Sequence, residues 1–161
     1  MPDFVSIGVY GWEAGHFFAA LTREHVDAFC DLRARRGVRG PEYSFANSVR
    51  LQERLAELGI RYLHYPELAP SAATRALQHA ADEASDTARR KRALLSPAFV
   101  EAYRKERLAE FDSDAFLASL GPETRIAALF CVEREAAACH RSLLAERLVR
   151  DAGVRVNHVV P

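Results

Sequence analysis

Short apolar runs rich in β-branched and aromatic residues alternate along the chain with stretches in which apolar residues recur at helical spacing. The apolar runs predict five strands, at residues 3–10, 25–33, 60–65, 125–131 and 154–160. The fourth run is apolar at almost every position, which is typical of a strand covered on both faces. We therefore place this strand near the centre of the predicted sheet.

Helical periodicity fills most of the chain between these strands. It predicts helices at residues 13–22, at 48–58 with Asn47 or Ser48 as the N-cap, and from about residue 139 to 151. Gly59 and Gly153 are placed to end the last two helices. Between the third and fourth strands, residues 72–95, 97–108 and 112–120 have helical character. We interpret this middle section as a helical insertion that packs on the sheet.

The alternation of strands and helices predicts the fold class. Strands separated by helical segments favour a three-layer α/β/α fold with a mostly parallel sheet of about five strands. The chain of 161 residues has the usual length of one domain with one sizeable core. No internal repeat or low-complexity linker divides it, so we predict a single domain over residues 1–161.

The composition narrows the class of protein further. Apolar residues make up 49% of the chain, and 22 basic residues balance 22 acidic ones, so no overall charge attracts nucleic acid. No apolar run is long enough to cross a membrane, and the N-terminal residues lack the pattern of a signal peptide. The three cysteines are an odd number. We therefore expect a cytoplasmic protein with free thiols and without a disulfide framework.

The clusters of ionisable and reactive side chains follow the second, third and fourth predicted strands. In open α/β sheets, ligands collect at the carboxyl ends of the strands. The residues after the second and fourth strands supply thiols, an imidazole, carboxylates and guanidinium groups. We predict that Cys131, Cys139, His140 and Glu133 are catalytic. We predict that the ligand-binding residues are Asp31, Arg33, Arg36, Arg39 and Arg141.

Cys139 and His140 are predicted to lie on or beside the first turn of a helix, where unpaired backbone N–H groups favour an anion and lower the pKa of a thiol. Structural interpretations stay open beside this one. Cys131 at the end of a central strand is compatible with a small buried hydrophobe, and Cys30 alternates toward the core. Asp31 and Arg33 are spaced for a structural ion pair. The basic run at residues 89–92 is typical of a solvated helix face.

Three known chemistries can be compared with the spacing of the cysteines. A phosphatase-type loop needs an arginine six residues after its cysteine, but these positions hold Ala137 and Ala145. A zinc site could use Cys131, Cys139 and His140, with Glu133 or Asp31. However, the chain has no pair of cysteines with two residues between them, and adjacent ligands at Cys139 and His140 would diverge on a helix, so we predict no metal ligand. A redox pair of Cys131 and Cys139 stays open, because it requires only that the two Cα atoms lie within about 7 Å.

The chain resembles a bacterial and archaeal family catalogued as domain-of-unknown-function family 488. The motifs that carry the resemblance run nearly from end to end: Ser6-Ile7-Gly8, Asp31-Leu32-Arg33, Arg36-Gly37-Val38-Arg39-Gly40, Tyr43-Ser44-Phe45-Ala46-Asn47, Leu51 and Leu55, Gly59-Ile60-Arg61-Tyr62, Glu67-Leu68-Ala69, Cys131 with Glu133, Cys139-His140-Arg141, and His158.

The resemblance implies a compact α/β domain whose recurrent polar residues gather at one end of the sheet, and it implies no reaction. Many members of the family have Leu-Gly-Gly where this chain has Leu68-Ala69-Pro70. Alanine and proline are less permissive than glycine, so a close approach of the backbone to a ligand at this loop is not expected here.

Two functions remain open at this stage. The first is a thiol-dependent enzyme that acts on a nucleotide or another phosphate-bearing substrate, with arginines that hold the anion. The second is a non-catalytic module that binds nucleic acid or another ligand through the arginine loop at residues 33–39. The expected partner is an anionic small molecule or nucleic acid and not a membrane. The sequence assigns no cofactor and no oligomeric state.

Overall fold

Five parallel strands form one sheet in the computed structural model, which describes residues 1–161. The strands are β1 (Asp3–Ile7), β2 (Ala28–Asp31), β3 (Arg61–His64), β4 (Ile126–Phe130) and β5 (Val156–Val159). Their order in the sheet is β3-β2-β4-β1-β5. The strand with the most continuous apolar sequence, β4, therefore lies at the centre between β2 and β1, as predicted.

Six α-helices surround this sheet, and five of them pack on its faces. They are α1 (Ala14–Arg23), α2 (Ser48–Glu57), α3 (Ala72–Ala84), α4 (Pro97–Tyr103), α5 (Ser113–Ser119) and α6 (His140–Ala152). Helices α1 and α2 pack on one face, and α4, α5 and α6 pack on the other. Helices α3, α4 and α5 form the predicted insertion before β4. The three-layer α/β/α fold is thus confirmed. No helix has both the length and the apolar character needed to span a membrane.

Alternation along the strands divides the core into two halves. In β4, Ala128 and Phe130 face α1 and α2, whereas Ala127 and Leu129 face α4 to α6. This follows from the two-residue period of a strand, which sends successive side chains to opposite faces. The same period places Phe29 on the first face and Cys30 on the second. The expectation that Cys30 faces the core is confirmed.

Several predicted boundaries and local structures were wrong. All five strands are shorter than predicted, because their ends turn into loops at the edges of the sheet. The loop after β2 contains a 3-10 helix, Pro41–Ala46. Asn47 occupies the N-cap position of α2, but its side-chain oxygen accepts a hydrogen bond from the N–H of Val38 and not from the helix. The basic run at 89–92 is not on a helix face: Arg89–Lys91 is a separate 3-10 turn.

Gly8 fixes the position of the loop that follows β4. The carbonyl oxygen of Val132 accepts hydrogen bonds from the backbone N–H groups of Val9 and Tyr10. This pairing brings the next carbonyl so close that a Cβ atom on Gly8 would lie 1.8 Å from the oxygen of Glu133. Only glycine can therefore occupy this position without a shift of the backbone.

We expect Gly8→Ala to lower the free energy of unfolding by at least about 1–3 kcal/mol, the usual range for overpacking. The added methyl group meets backbone atoms, which cannot rotate away as a side chain can. Urea denaturation followed by circular dichroism measures the effect.

The matched control is Gly15→Ala, where the added atom meets nothing within 4 Å and the residue lies in α1. We expect this change to be neutral or to stabilise the protein by up to about 1 kcal/mol. Equal stability of the two variants would contradict the proposed close approach at Gly8.

Candidate functional site

The predicted catalytic residues lie at the carboxyl edge of the central strand. Cys131 follows β4 directly, and Cys139 is the residue before α6. The chain between them forms a tight loop with a 3-10 turn at Ala136–Ala138. The loop folds back, so that the end of β4 and the start of α6 lie side by side at the end of the sheet where ligands of α/β proteins collect.

Two thiols and an imidazole converge in this loop, and we call Cys131, Cys139 and His140 the thiol cluster. The Nδ1 atom of His140 lies 3.9 Å from the sulfur of Cys131 and 3.8 Å from the sulfur of Cys139. All three atoms lie within 4.8 Å of one another. All three residues are buried, and both cysteines are free thiols.

The backbone before α6 explains why neighbouring residues share one site. Cys139 has an extended conformation, with φ −138° and ψ 146°, whereas His140 is the first residue of the helix. The sequence-based argument that ligands at 139 and 140 must diverge assumed that both are helical, and it was wrong for this reason. The other ring nitrogen of His140, Nε2, lies 3.3 Å from the carbonyl oxygen of Leu32, which fixes the orientation of the ring.

The pKa values of the three members of the thiol cluster are shifted in different directions. Burial raises the pKa of the Cys139 thiol, but the hydrogen bond with Cys131 and the positive charges of His140 and Arg141 outweigh it and hold that pKa well below its usual range. The hydrogen bond to Cys139, together with burial, raises the pKa of Cys131 well above its usual range. Burial lowers the pKa of His140, but the Cys139 thiolate raises it more. These directions favour negative charge on the sulfur of Cys139 over negative charge on the sulfur of Cys131.

Arg141 holds the loop after β4 in place through three hydrogen bonds. Its guanidinium group is fully buried and donates hydrogen bonds to the Ser6 hydroxyl at 2.8 Å and to the carbonyl oxygens of Glu133 at 2.7 Å and Arg134 at 3.1 Å. These acceptors belong to β1 and to the loop after β4. The side chain predicted to bind an anion is therefore already occupied by groups of the protein.

Glu133 lies under a cover formed by residues 89–95. Its buried carboxylate accepts a hydrogen bond from Arg89 at 2.9 Å and lies 3.5 Å from Arg92, which also pairs with Asp82. Burial raises the pKa of Glu133, and the nearby Cys139 adds to this rise. Residues 89–91 are exposed, as expected for a solvated basic run, but they do not lie on a helix, and all three arginines of the run pair with carboxylates of the protein.

A second part of the cover is aromatic. The guanidinium of Arg90 lies 5.2 Å from the ring centres of both Tyr10 and Tyr43, at a distance that gives cation–π attraction. Tyr10 packs with Cys131, Val132 and Cys139 in a small apolar cluster. The cover thus closes over the thiols through polar and cation–π contacts of partly exposed side chains.

Asp31 and Arg33 belong to a different environment from the thiols. Arg33 makes a bidentate ion pair with Asp31, at 2.9 and 2.8 Å, and its remaining nitrogen donates to the Ala46 carbonyl. Tyr62 donates a further hydrogen bond to Asp31 at 2.6 Å. The Arg33 guanidinium lies 4.7 Å from the ring centre of Phe130, on the face of α1 and α2. Both residues are buried, so this is the structural ion pair left open above.

The other predicted ligand-binding residues lie in the loop after β2. Arg39 is exposed, and its side chain makes no hydrogen bond or ion pair, whereas its backbone carbonyl accepts from Arg90. Arg36 is partly exposed and interacts with the hydroxyl of Tyr62. Val38 between them packs against the apolar cluster around Cys131. Arg39 therefore lies beside the cover, whereas Arg36 lies beside Tyr62 and the Asp31–Arg33 ion pair.

Sequence reasoning missed several groups that shape the site. Ser6 was visible as a hydroxyl inside an apolar strand, which is a signal for a buried partner. The contributions of Tyr10, Tyr43 and the Leu32 carbonyl have no such signal, because they depend on which strands are neighbours. His158 lies on β5 beside Ser6 of β1, and partial burial and the charge of Arg141 lower its pKa.

The comparison with family models identifies this chain as a member of a family. The model described as "Domain of unknown function DUF488" matches residues 13–148. The chain therefore belongs to the DUF488 family, as its motifs indicated. Comparisons with curated proteins and with solved structures gave no match.

We expect Arg141→Gln to lower the free energy of unfolding by about 1–3 kcal/mol, because it leaves buried carbonyl oxygens without donors. Urea denaturation measures the change. Arg150→Gln on the same helix is the control, since the Arg150 side chain is 71% exposed and pairs only with Asp151 at the surface. If both variants unfold at the same urea concentration, Arg141 does not hold the loop.

We expect Arg33→Met to cost about 3–5 kcal/mol of stability, because it leaves the buried Asp31 carboxylate without its counter-charge. Thermal and urea unfolding both report this loss. Arg39→Met is the control in the same loop, and we expect a change within about 0.5 kcal/mol. A fully stable Arg33→Met variant would show that Asp31 does not need this partner.

Proposed function

We propose that this DUF488 protein is a thiol-dependent enzyme that acts on an anionic substrate, such as a nucleotide or another phosphate-bearing compound, with Cys139 as its nucleophile. The proposal rests on one observation: the sulfur atoms of Cys131 and Cys139 and Nδ1 of His140 lie within 4.8 Å of one another. A thiol beside an imidazole is the arrangement that activates a cysteine for attack. The position at the start of α6 adds the favourable field of the helix N-terminus.

The residues divide into distinct roles in this proposal. The Cys139 sulfur forms a bond to the electrophilic atom of the substrate with its own electron pair. The bond to the leaving group breaks and its electron pair stays with that group, which takes the proton of His140. Water then releases the substrate fragment from sulfur, and its proton returns to His140. The Cys131 thiol donates a hydrogen bond to the attacking sulfur and stabilises its negative charge.

Glu133 is a second proton carrier in this scheme and takes part only when it separates from Arg89. Its carboxylate is buried and bound by Arg89 and Arg92 in the closed structure. An anionic group on the substrate competes with Glu133 for Arg89, whose side chain is 57% exposed. This exchange would transfer Arg89 to the substrate and release the carboxylate beside the thiols.

The anion-binding role belongs, in this proposal, to Arg36, Arg39 and Arg89. Arg33 and Arg141 were predicted for the same role, but their nitrogen atoms donate to acceptors within the protein. Arg39 makes no side-chain contact and lies beside the cover, so its charge is available. The same observations weigh against a nucleic-acid-binding module, because the basic run at 89–92 contributes to ion pairs and not to a free basic surface.

Access to Cys139 requires the cover at residues 89–95 to move. Cys139 is 2% exposed and Cys131 is 5% exposed. The cover is attached by the backbone bond from Leu95 to the Ala137 carbonyl, by the largely buried Arg92–Asp82 ion pair, and by contacts of the partly exposed Arg89 and Arg90 side chains. Segments with few buried apolar contacts open locally at low cost. We therefore expect the cover to open without unfolding of the sheet.

Alkylation at neutral pH tests the nucleophile. Iodoacetamide is added to the folded protein and to the same chain in urea, and the modified cysteine is identified by mass spectrometry of peptides. We expect Cys139 to react faster in the folded protein than in urea, because only the folded chain supplies His140 and the helix N-terminus. We expect Cys30, in the core, to be protected.

The variant His140→Gln separates activation from simple exposure. It removes the positive charge next to the sulfur and should slow the alkylation of Cys139 at least tenfold, while circular dichroism shows that the fold is kept. The proposal is wrong if Cys139 does not react faster in the folded chain than in the unfolded one.

A further inference from the structure

We infer that Cys131, Cys139 and His140 also form a binding site for one zinc ion or a similar thiophilic divalent metal ion. The donor atoms are two cysteine sulfurs and one imidazole nitrogen, and each residue offers one of them. This inference goes beyond the proposed reaction, because it needs only the arrangement of the three donors. It concerns the same residues, so the two proposals are tested separately below.

The two nitrogen–sulfur distances are close to the edges of a metal coordination tetrahedron. With metal–sulfur bonds of about 2.3 Å and a metal–nitrogen bond of about 2.0 Å, the sulfur and nitrogen ligands of zinc lie about 3.6 Å apart. In this protein the two corresponding distances are 3.9 and 3.8 Å. The two nitrogen–sulfur distances need to shorten by only a few tenths of an ångström. The two sulfurs, which lie within 4.8 Å of each other, would close to about 3.8 Å on one metal ion, a movement that rotation of the cysteine side chains can provide.

The surroundings of His140 are those of a metal ligand. A histidine that binds a metal usually donates its other ring N–H to a carbonyl or carboxylate group, which fixes the tautomer and the direction of the ligand nitrogen. Here Nε2 faces the Leu32 carbonyl at 3.3 Å, and Nδ1 faces the two sulfurs. The extended backbone of Cys139 allows its side chain to reach the same point as the neighbouring His140.

The donor set favours zinc over the hard cations. Thiolate and imidazole ligands select zinc and other thiophilic metals, whereas magnesium and calcium take oxygen ligands. Three protein ligands leave one position of the tetrahedron for water or an added ligand, as in catalytic zinc sites. The Glu133 carboxylate is not in the group, because Arg89 and Arg92 hold it. A fourth ligand from outside the chain therefore completes the site.

Metal binding would control the thiol chemistry. A sulfur that shares its electron pair with a metal ion is a weaker nucleophile than a free thiolate. The metal-bound form should therefore be protected from alkylation, and the metal-free form should be the reactive one. This consequence depends on the proposed function, whereas the metal site itself does not.

Titration of the chelator-treated full-length protein with Co²⁺ and Zn²⁺ tests the inference. We expect about one ion per chain, a near-ultraviolet absorption band from Co²⁺ bound to thiolate, and visible bands of tetrahedral Co²⁺ that Zn²⁺ removes. Cys131→Ser, Cys139→Ser and His140→Gln should each weaken Zn²⁺ binding at least tenfold. Cys30→Ala is the control and should bind Zn²⁺ as the unchanged protein does, because Cys30 lies in the core on another part of the sheet.

A second measurement on the unchanged protein covers the case in which a variant fails to fold. Saturating Zn²⁺ should slow the alkylation of both Cys131 and Cys139 at least tenfold. Metal-free protein with a reactive Cys139 that takes up no Zn²⁺ would overturn the metal site and support the proposed function. Protein that binds one Zn²⁺ through these residues, but has an unreactive Cys139 when metal-free, would support the metal site and overturn the proposed function.

Discussion

The buried guanidinium of Arg141 is the interaction on which the rest of the site depends. It has no carboxylate among its hydrogen-bond acceptors, and a charge in a protein interior is costly unless its donors are satisfied. Its three hydrogen bonds connect the first turn of α6, to which Arg141 belongs, with β1 and with the loop after β4. The positive charge also lowers the pKa of Cys139. One side chain therefore fixes the shape of the loop and favours a thiolate within it.

The two-residue period of the strands separates this site from the other buried charges. Register pairs Asp31 of β2 with Phe130 of β4, and the Asp31–Arg33 ion pair packs on the face of α1 and α2. Cys131, one residue later, belongs to the cluster with Val132 and Cys139. The contact from the loop after β2 to His140 is made by the backbone carbonyl of Leu32. The Asp31–Arg33 ion pair and the charged residues around Cys131 are thus neighbours in the sheet but lie in separate environments.

The sequence predicted most of the elements of the fold but only part of the site. Apolar runs and helical spacing placed all five strands and the helices around them, because burial determines both patterns. The pairing of Asp31 with Arg33 and the start of α6 near Cys139 were also accessible, since they depend on residues close in the chain. The roles of Arg89 and Arg92 were not accessible. They depend on a turn that returns to the loop after β4 from more than forty residues away, and no local pattern marks such a contact.

The position of β4 has a consequence for how the chain reaches its native state. β1 and β2 are not neighbours in the sheet, and β4, the strand between them, is made only after residue 125. A chain that emerges from the ribosome in order can form β2 with β3 early, but β1 has no partner until residue 126 and those after it appear, because its neighbours are β4 and β5. Pairings between distant segments are slow to form, and unpaired apolar strands invite aggregation in the meantime. Cys131 directly follows this late strand, so the chemistry of the loop can arise only after the two halves of the sheet have joined.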